Sequence, residues 1–200
     1  MISPGRSLRT GRRTPRGLVA AAAAALAVGA VSGCGSDPQA VNDADATFAA
    51  HQVTHHAQTV HLLNLSLGRK AVRSEAALLA DETRADHLNE IGTLSRWLRR
   101  HDLPVPDTGL THAEEGRHVE FDTSVPGVLG PQDVAALEGS SNKTFERVWL
   151  AALIVHEQGA VRVAENEIQN GQNATTVAFA KRDKAAHAQR LARLRRLTTP

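Results

Sequence analysis

Apolar residues recur at intervals of three and four along four long stretches of the chain, and each stretch reads as an amphipathic helix. The first runs from about Asp43 to Gly68, with Asn42 or Asp43 as N-cap and Gly68 near its C-terminal end. At about 100° per residue its apolar stripe is Ala49, Val53, His56, Val60, Leu63 and Leu67. The second runs from about Lys70 to His101 in a register set by Leu79, Thr83, His87, Ile91, Leu94 and Leu98. The third spans roughly Lys143 to Gln169 with the stripe Phe145, Trp149, Ala152, His156, Ala160 and Val163. The fourth, from near Ala174 to about Leu197, carries His187, Leu191 and Leu194 on one face. Between the pairs, residues 103–142 hold Pro104, Pro106, Pro126 and Pro131 and several glycines, and only Pro131 to Leu137 reads as a short helix, with proline in its first turn. Two helical hairpins joined by a long crossover predict an all-α, ferritin-like four-helix bundle. The hairpins also resemble each other: His56 and His156, His87 and His187, Ile91 and Leu191, and Leu94 and Leu194 all match at an offset of 100 residues.

The N-terminal pattern is of another kind. Arg6, Arg9, Arg12, Arg13 and Arg16 precede an unbroken run of Ala, Val, Leu and Gly from Leu18 to Val31. A basic segment before an apolar stretch too short to span a bilayer as a helix is an export signal. It ends in Val31-Ser32-Gly33-Cys34, which resembles the lipobox of bacterial lipoproteins, and the chain has no other cysteine. Residues 1–33 are therefore expected to be a cleaved signal, Cys34 the lipidated N-terminus, 34–42 a tether and 43–200 the folded domain. The partner so implied is a membrane, reached from its outer, extracytoplasmic face through lipid on Cys34. Removing the signal takes five arginines and leaves 18 basic against 21 acidic residues, a net charge of −3. The excess of basic residues thus belongs to the precursor and gives no reason to expect nucleic acid.

Each long helix places one histidine on its apolar stripe, at distances from the hairpin turns that allow His56, His87, His156 and His187 to share one broad layer. A single histidine on such a face is usually a core residue with a satisfied hydrogen bond. Four imidazoles buried without partners would cost several kcal/mol. Coordination of a transition metal ion, copper or zinc, satisfies them; so does a hydrogen-bonded polar layer with no metal. His51 and His55 lie one turn apart, a spacing that lets two imidazoles hold one ion. Glu90, Glu157 and Asp183 fall within a turn of stripe histidines and are placed to ligate or orient them. His61 is expected to face solvent, and His101, His112 and His118 to lie at or in the crossover. The run Arg190, Arg193, Arg195 and Arg196 reads as offsetting the helix dipole and solvating the last turns.

At Phe48, Val53, His55-His56, Val60, Glu90-Ile91 and Trp97-Leu98, and again at Leu153-Ile154-Val155-His156-Glu157-Gln158-Gly159-Ala160-Val161, the chain resembles the DUF305 family over about residues 43–197. The resemblance implies an exported, ferritin-like bundle, with copper binding implicated for some members. It pairs His156 with His55, whereas the stripe pairs it with His56. His51, Gln52, Leu62, Leu94, Ala152, Leu153, Val163 and Leu194 stand where the family has methionine, and His87 and His187 where it has glutamine. Thioethers select Cu(I), whereas imidazole and carboxylate suit Zn(II), Cu(II) or similar ions. The candidate metal residues are therefore His51, His55, His56, His87, Glu90, His156, Glu157 and His187. They would bind a divalent transition metal, possible copper included, in metal handling or resistance. The alternative is a structural or binding lipoprotein with a buried histidine layer. A di-iron oxidase of this fold would need Glu-x-x-His pairs, and the chain offers only the reversed His87-x-x-Glu90. No nucleophile elbow, phosphate loop or Cys-x-x-Cys pair accompanies these residues.

Overall fold

The structure, a computed structural model, describes residues 40–110 and 120–199. The expected signal at 1–33, the lipidation site Cys34, His112 and His118 lie outside the described residues. Five helices follow one another, and no strand occurs among the described residues: α1 Asp43–Asn64, α2 Ser74–Arg100, α3 Pro131–Glu138, α4 Asn142–Asn170 and α5 Ala174–Thr198. α1 packs on α2 and α4, and α4 on α5, giving two hairpins side by side. No described helix is long and apolar enough to cross a membrane.

α1 starts where a capping box forces it to: Asn42 accepts from the backbone N–H of Asp45, and Asp45 accepts from that of Asn42. The same Asp45 carboxylate takes the backbone N–H of Gln172 at 3.0 Å, that of Asn173 at 2.9 Å and the Thr176 hydroxyl at 2.9 Å. One side chain thus both caps α1 and ties it to the α4–α5 turn.

α1 ends at Asn64, a turn earlier than the sequence pattern predicts, and α2 begins at Ser74 rather than near Lys70. Tertiary contacts override periodicity here. Arg69 donates to the carbonyls of Leu65, Ser140 and Glu138 and lies 3.9 Å over the ring of Phe145, pinning the connection to the start of α4. Gly68, at φ +73°, makes the turn in a conformation that favours glycine.

α1 is the central element. From Gln52 to Val60 every residue is buried, polar ones included. The apolar stripe predicts one buried face; a second is covered because the crossover lies across α1 and α4. Val125 is buried, Leu129 exchanges two hydrogen bonds with the Gln58 side chain, and Pro126 and Gly127 run over Gly159 of α4. A Cβ on Gly159 would lie 2.0 Å from the Pro126 carbonyl oxygen, so only glycine admits this approach.

The core has two apolar ends. One gathers Leu62, Leu79, Phe145, Trp149, Leu153 and Leu194; the other gathers Phe48, Val53, Leu94, Trp97, Leu98 and Ala164. The buried histidines lie between them as a polar slab.

Candidate metal centre

Four helices converge on one cluster. α1 supplies His56, α2 supplies His87 and Glu90, and α5 supplies Asp183 and His187, with Glu157 entering from α4. The three imidazoles stack: His56 on His87 with centroids 4.2 Å apart, and His187 at 5.6 Å and 5.7 Å from the two. All three are buried. His56 Nε2 lies 3.5 Å from Glu90 Oε2 and 3.8 Å from Asp183 Oδ1. His87 Nδ1 is 2.8 Å from Glu90 Oε2. His187 Nδ1 is 2.6 Å from Glu157 Oε2, and its Nε2 is 3.2 Å from Asp183 Oδ1 without hydrogen-bond alignment. The donor atoms fall into three overlapping groups: His56–Asp183–His187, His56–His87–Glu90 and His87–Glu157–His187.

Neither ring nitrogen of His56 has a hydrogen-bond partner, and neither do His87 Nε2 and Asp183 Oδ1. A buried polar atom left so costs on the order of 1–3 kcal/mol. Burial, reinforced by His87, holds His56 well below the usual histidine range, and burial with Arg190 does the same to His87. Both rings are therefore neutral, with lone pairs free to bind an ion. His187 is the opposite case. Burial pushes it down, but Glu157 and Asp183 on its two nitrogens more than reverse this and raise it to about 10. Burial pushes Asp183 up, yet His187 prevails and keeps the carboxylate ionised.

The surroundings are built to match. Gln52 donates from Nε2 to Asp183 Oδ2, leaving Oδ1 aimed at the two imidazoles. Arg190, expected to solvate the last turns of its helix, is instead 7 % exposed. Its guanidinium lies 3.3 Å from His187 Nδ1 and 4.0 Å from Glu90 Oε2, because α2 and α5 meet through long side chains.

His55 and His156 form a second pair, separate from the cluster. Their rings lie 4.0 Å apart, His55 Nε2 donates to the Pro126 carbonyl at 2.8 Å, and His156 Nδ1 donates to that of Gly127 at 2.8 Å. The expected layer of four stripe histidines is thus divided, since the crossover backbone takes up His156, which meets His55 and not His56. His51 is only half-buried and feels Asp122 of the crossover, whereas His55 is fully buried with its Nε2 on the Pro126 carbonyl. His61 lies 3.7 Å from Glu138, partly exposed, as its place off the stripe predicts. Asp183, one turn before His187, had a sequence signal in its spacing. Gln52 and Arg190 as supports had none.

A bundle of two hairpins around buried histidines and carboxylates defines a class, the ferritin-like helical proteins with a polar centre in the core. Within it, the chain belongs to the DUF305 family, "Domain of unknown function (DUF305)", whose pattern matches residues 45–198. Solved structures agree. A DUF305 fragment from Deinococcus radiodurans superposes with a TM-score of 0.66 at 18% identity, covering 79% of this chain and 97% of that one. A DUF305 protein of Streptomyces coelicolor, described as secreted, gives 0.63 at 22% identity over 77% of this chain and 89% of that one. CopM in its Cu(I)-bound form gives 0.58 at 19% identity over 76% and 94%. CopM is also known with Cu(II) and with Ag bound. Among curated proteins no sequence matches.

Proposed function

We propose that the chain is an extracytoplasmic, lipid-anchored metal-binding protein that holds a divalent transition ion among His56, His87, His187, Glu90, Glu157 and Asp183, for metal handling or resistance. The observation that carries this reading is His56, fully buried with both ring nitrogens unpartnered and two carboxylate oxygens within 3.8 Å of Nε2. A purely structural layer leaves Nε2 and the Asp183 oxygen that faces it unsatisfied, whereas an ion at Nε2 satisfies both together. Charge supports a divalent ion. Once His187 gives up its proton to bind, three carboxylates against one guanidinium leave two negative charges, and a +2 ion cancels them. The donor set supports a borderline rather than a soft metal, since the sole methionine is Met1. CopM, of the same fold, is seen with copper in both oxidation states, in keeping with a bundle that accommodates metal.

The rival reading, a metal-free polar layer, is favoured by His187, whose Nδ1 the Glu157 carboxylate already holds in a hydrogen bond. Thermal unfolding separates the two. Zn(II), Cu(II) or Ni(II) at about a hundred times Kd should stabilise the purified chain by about 2.7 kcal/mol. His56→Gln should abolish the shift with helicity retained, and His61→Gln should not. A chain that purifies metal-free and whose Tm none of the three ions moves at neutral pH is the metal-free layer.

A further inference from the structure

The same nitrogen, His56 Nε2, faces two different carboxylates. On one side is Glu90 Oε2 at 3.5 Å, beside His87 Nδ1; on the other is Asp183 Oδ1 at 3.8 Å, beside His187 Nε2. Metal–ligand bonds of 2.0–2.1 Å in a tetrahedron put neighbouring donors about 3.3 Å apart. The 3.5 and 3.8 Å separations and the 3.2 Å between His187 Nε2 and Asp183 Oδ1 lie near that value. Each side is therefore a near-complete half-site, but the lone pair of His56 Nε2 can serve only one ion at a time.

The two halves differ in access. The Glu90 side chain is 23% exposed, whereas those of His56 and Asp183 are fully buried. Of the six side chains in the cluster, Glu90 alone reaches solvent appreciably. Its carboxylate also lies 4.0 Å from the Arg190 guanidinium, which in turn lies 3.7 Å from Asp86 on the surface of α2. The inner half is better braced. Gln52 fixes Asp183 from behind, and Glu157 fixes His187 through Nδ1, the carboxylate–histidine arrangement that orients a ligating imidazole.

Resting on the metal-binding reading above, we infer that the centre takes one divalent ion at a time, which enters at Glu90, His87 and His56 and comes to rest at His56, Asp183 and His187. His56 is the shared ligand that passes the ion from the outer to the inner position. Glu90 governs passage and Asp183 governs retention, so the two carboxylates have different kinetic signatures.

The test uses Zn(II) alone as probe, with equilibrium dialysis for stoichiometry and stopped-flow competition against a chromophoric chelator for rates. The wild-type chain should bind one equivalent. Glu90→Gln should slow association and dissociation together by about tenfold or more, with Kd changed by less than about threefold. Asp183→Asn should raise Kd by about a hundredfold, through faster dissociation. Anomalous diffraction from Zn(II)-loaded wild-type crystals gives a check independent of any variant: the ion should lie within about 2.2 Å of donors from His56, Asp183 and His187. Two equivalents per chain, an ion resting on Glu90, or a Glu90→Gln variant that weakens Kd as much as Asp183→Asn would each overturn the inference while leaving metal binding intact. A wild-type chain that takes no Zn(II), Cu(II) or Ni(II) overturns the proposed function itself.

Discussion

Glu167 is buried with neither carboxyl oxygen hydrogen-bonded, on α4 near the point where Asp45 ties α1 to the α4–α5 turn. Burial raises its pKa, and the neighbouring Asp45 carboxylate adds to this against the Thr176 hydroxyl, bringing it to about 7. The folded state therefore holds a proton that the unfolded chain gives up at the ordinary value of 4.5. Its contribution is fully present below the unfolded value and is lost as pH rises through about 7. Glu167→Gln, which keeps the shape and removes the titration, should match the wild type near pH 4.5 and exceed its stability by about 3 kcal/mol above about pH 8. Denaturant unfolding across that range checks this, and parallel pH profiles for the two proteins would refute it. His56 and His156 show how little a residue's own identity decides. Both sit on apolar stripes, yet His156 hydrogen-bonds to a carbonyl of the crossover and His56 has no such partner.

Among the elements, the crossover departs furthest from the periodic pattern. Residues 125–129 carry no helix, yet they are held by His55, His156 and Gln58 as firmly as a packed element. The Gly127–Gly159 contact makes this possible: Gly127 adopts φ +86°, and a Cβ added to it would meet Gly159 Cα at 2.7 Å. Gly159→Ala must push the crossover off α4, and overpacking of this kind costs typically 1–3 kcal/mol. The expected result is a lower Tm together with faster amide exchange at Leu129, whose N–H is bound by Gln58. Unchanged exchange at Leu129 would mean that the crossover is not seated on α4. This contact also positions His55 and His156, so the glycine that reads as part of a family motif has a steric role in this chain.

At the scale of the whole molecule, the remaining question is how the bundle is held in place. The lipid anchor we propose rests on the sequence at Val31–Cys34, and its test is direct. Cys34→Ala should release the chain from the membrane fraction or leave it as a slower-migrating precursor, since the sequence has no other cysteine to acylate. Unchanged fractionation and mobility would exclude the anchor. The sequence by itself determined the four long helices, their pairing into two hairpins and the apolar stripes, because a period near 3.6 residues is a local property that burial of one face enforces. Capping and the short helix at Pro131 were legible for the same reason: their hydrogen bonds and steric limits span only a few neighbouring residues. Which histidines meet was decided only by tertiary structure. Spacing fixes the face of a helix but not what covers it, and the path of the crossover removed His55 and His156 from the centre. Arg190 and Gln52 carried no signal either. A buried guanidinium or amide is recognisable only through partners on other helices, here Glu90 from 100 positions away and Asp183 from 131.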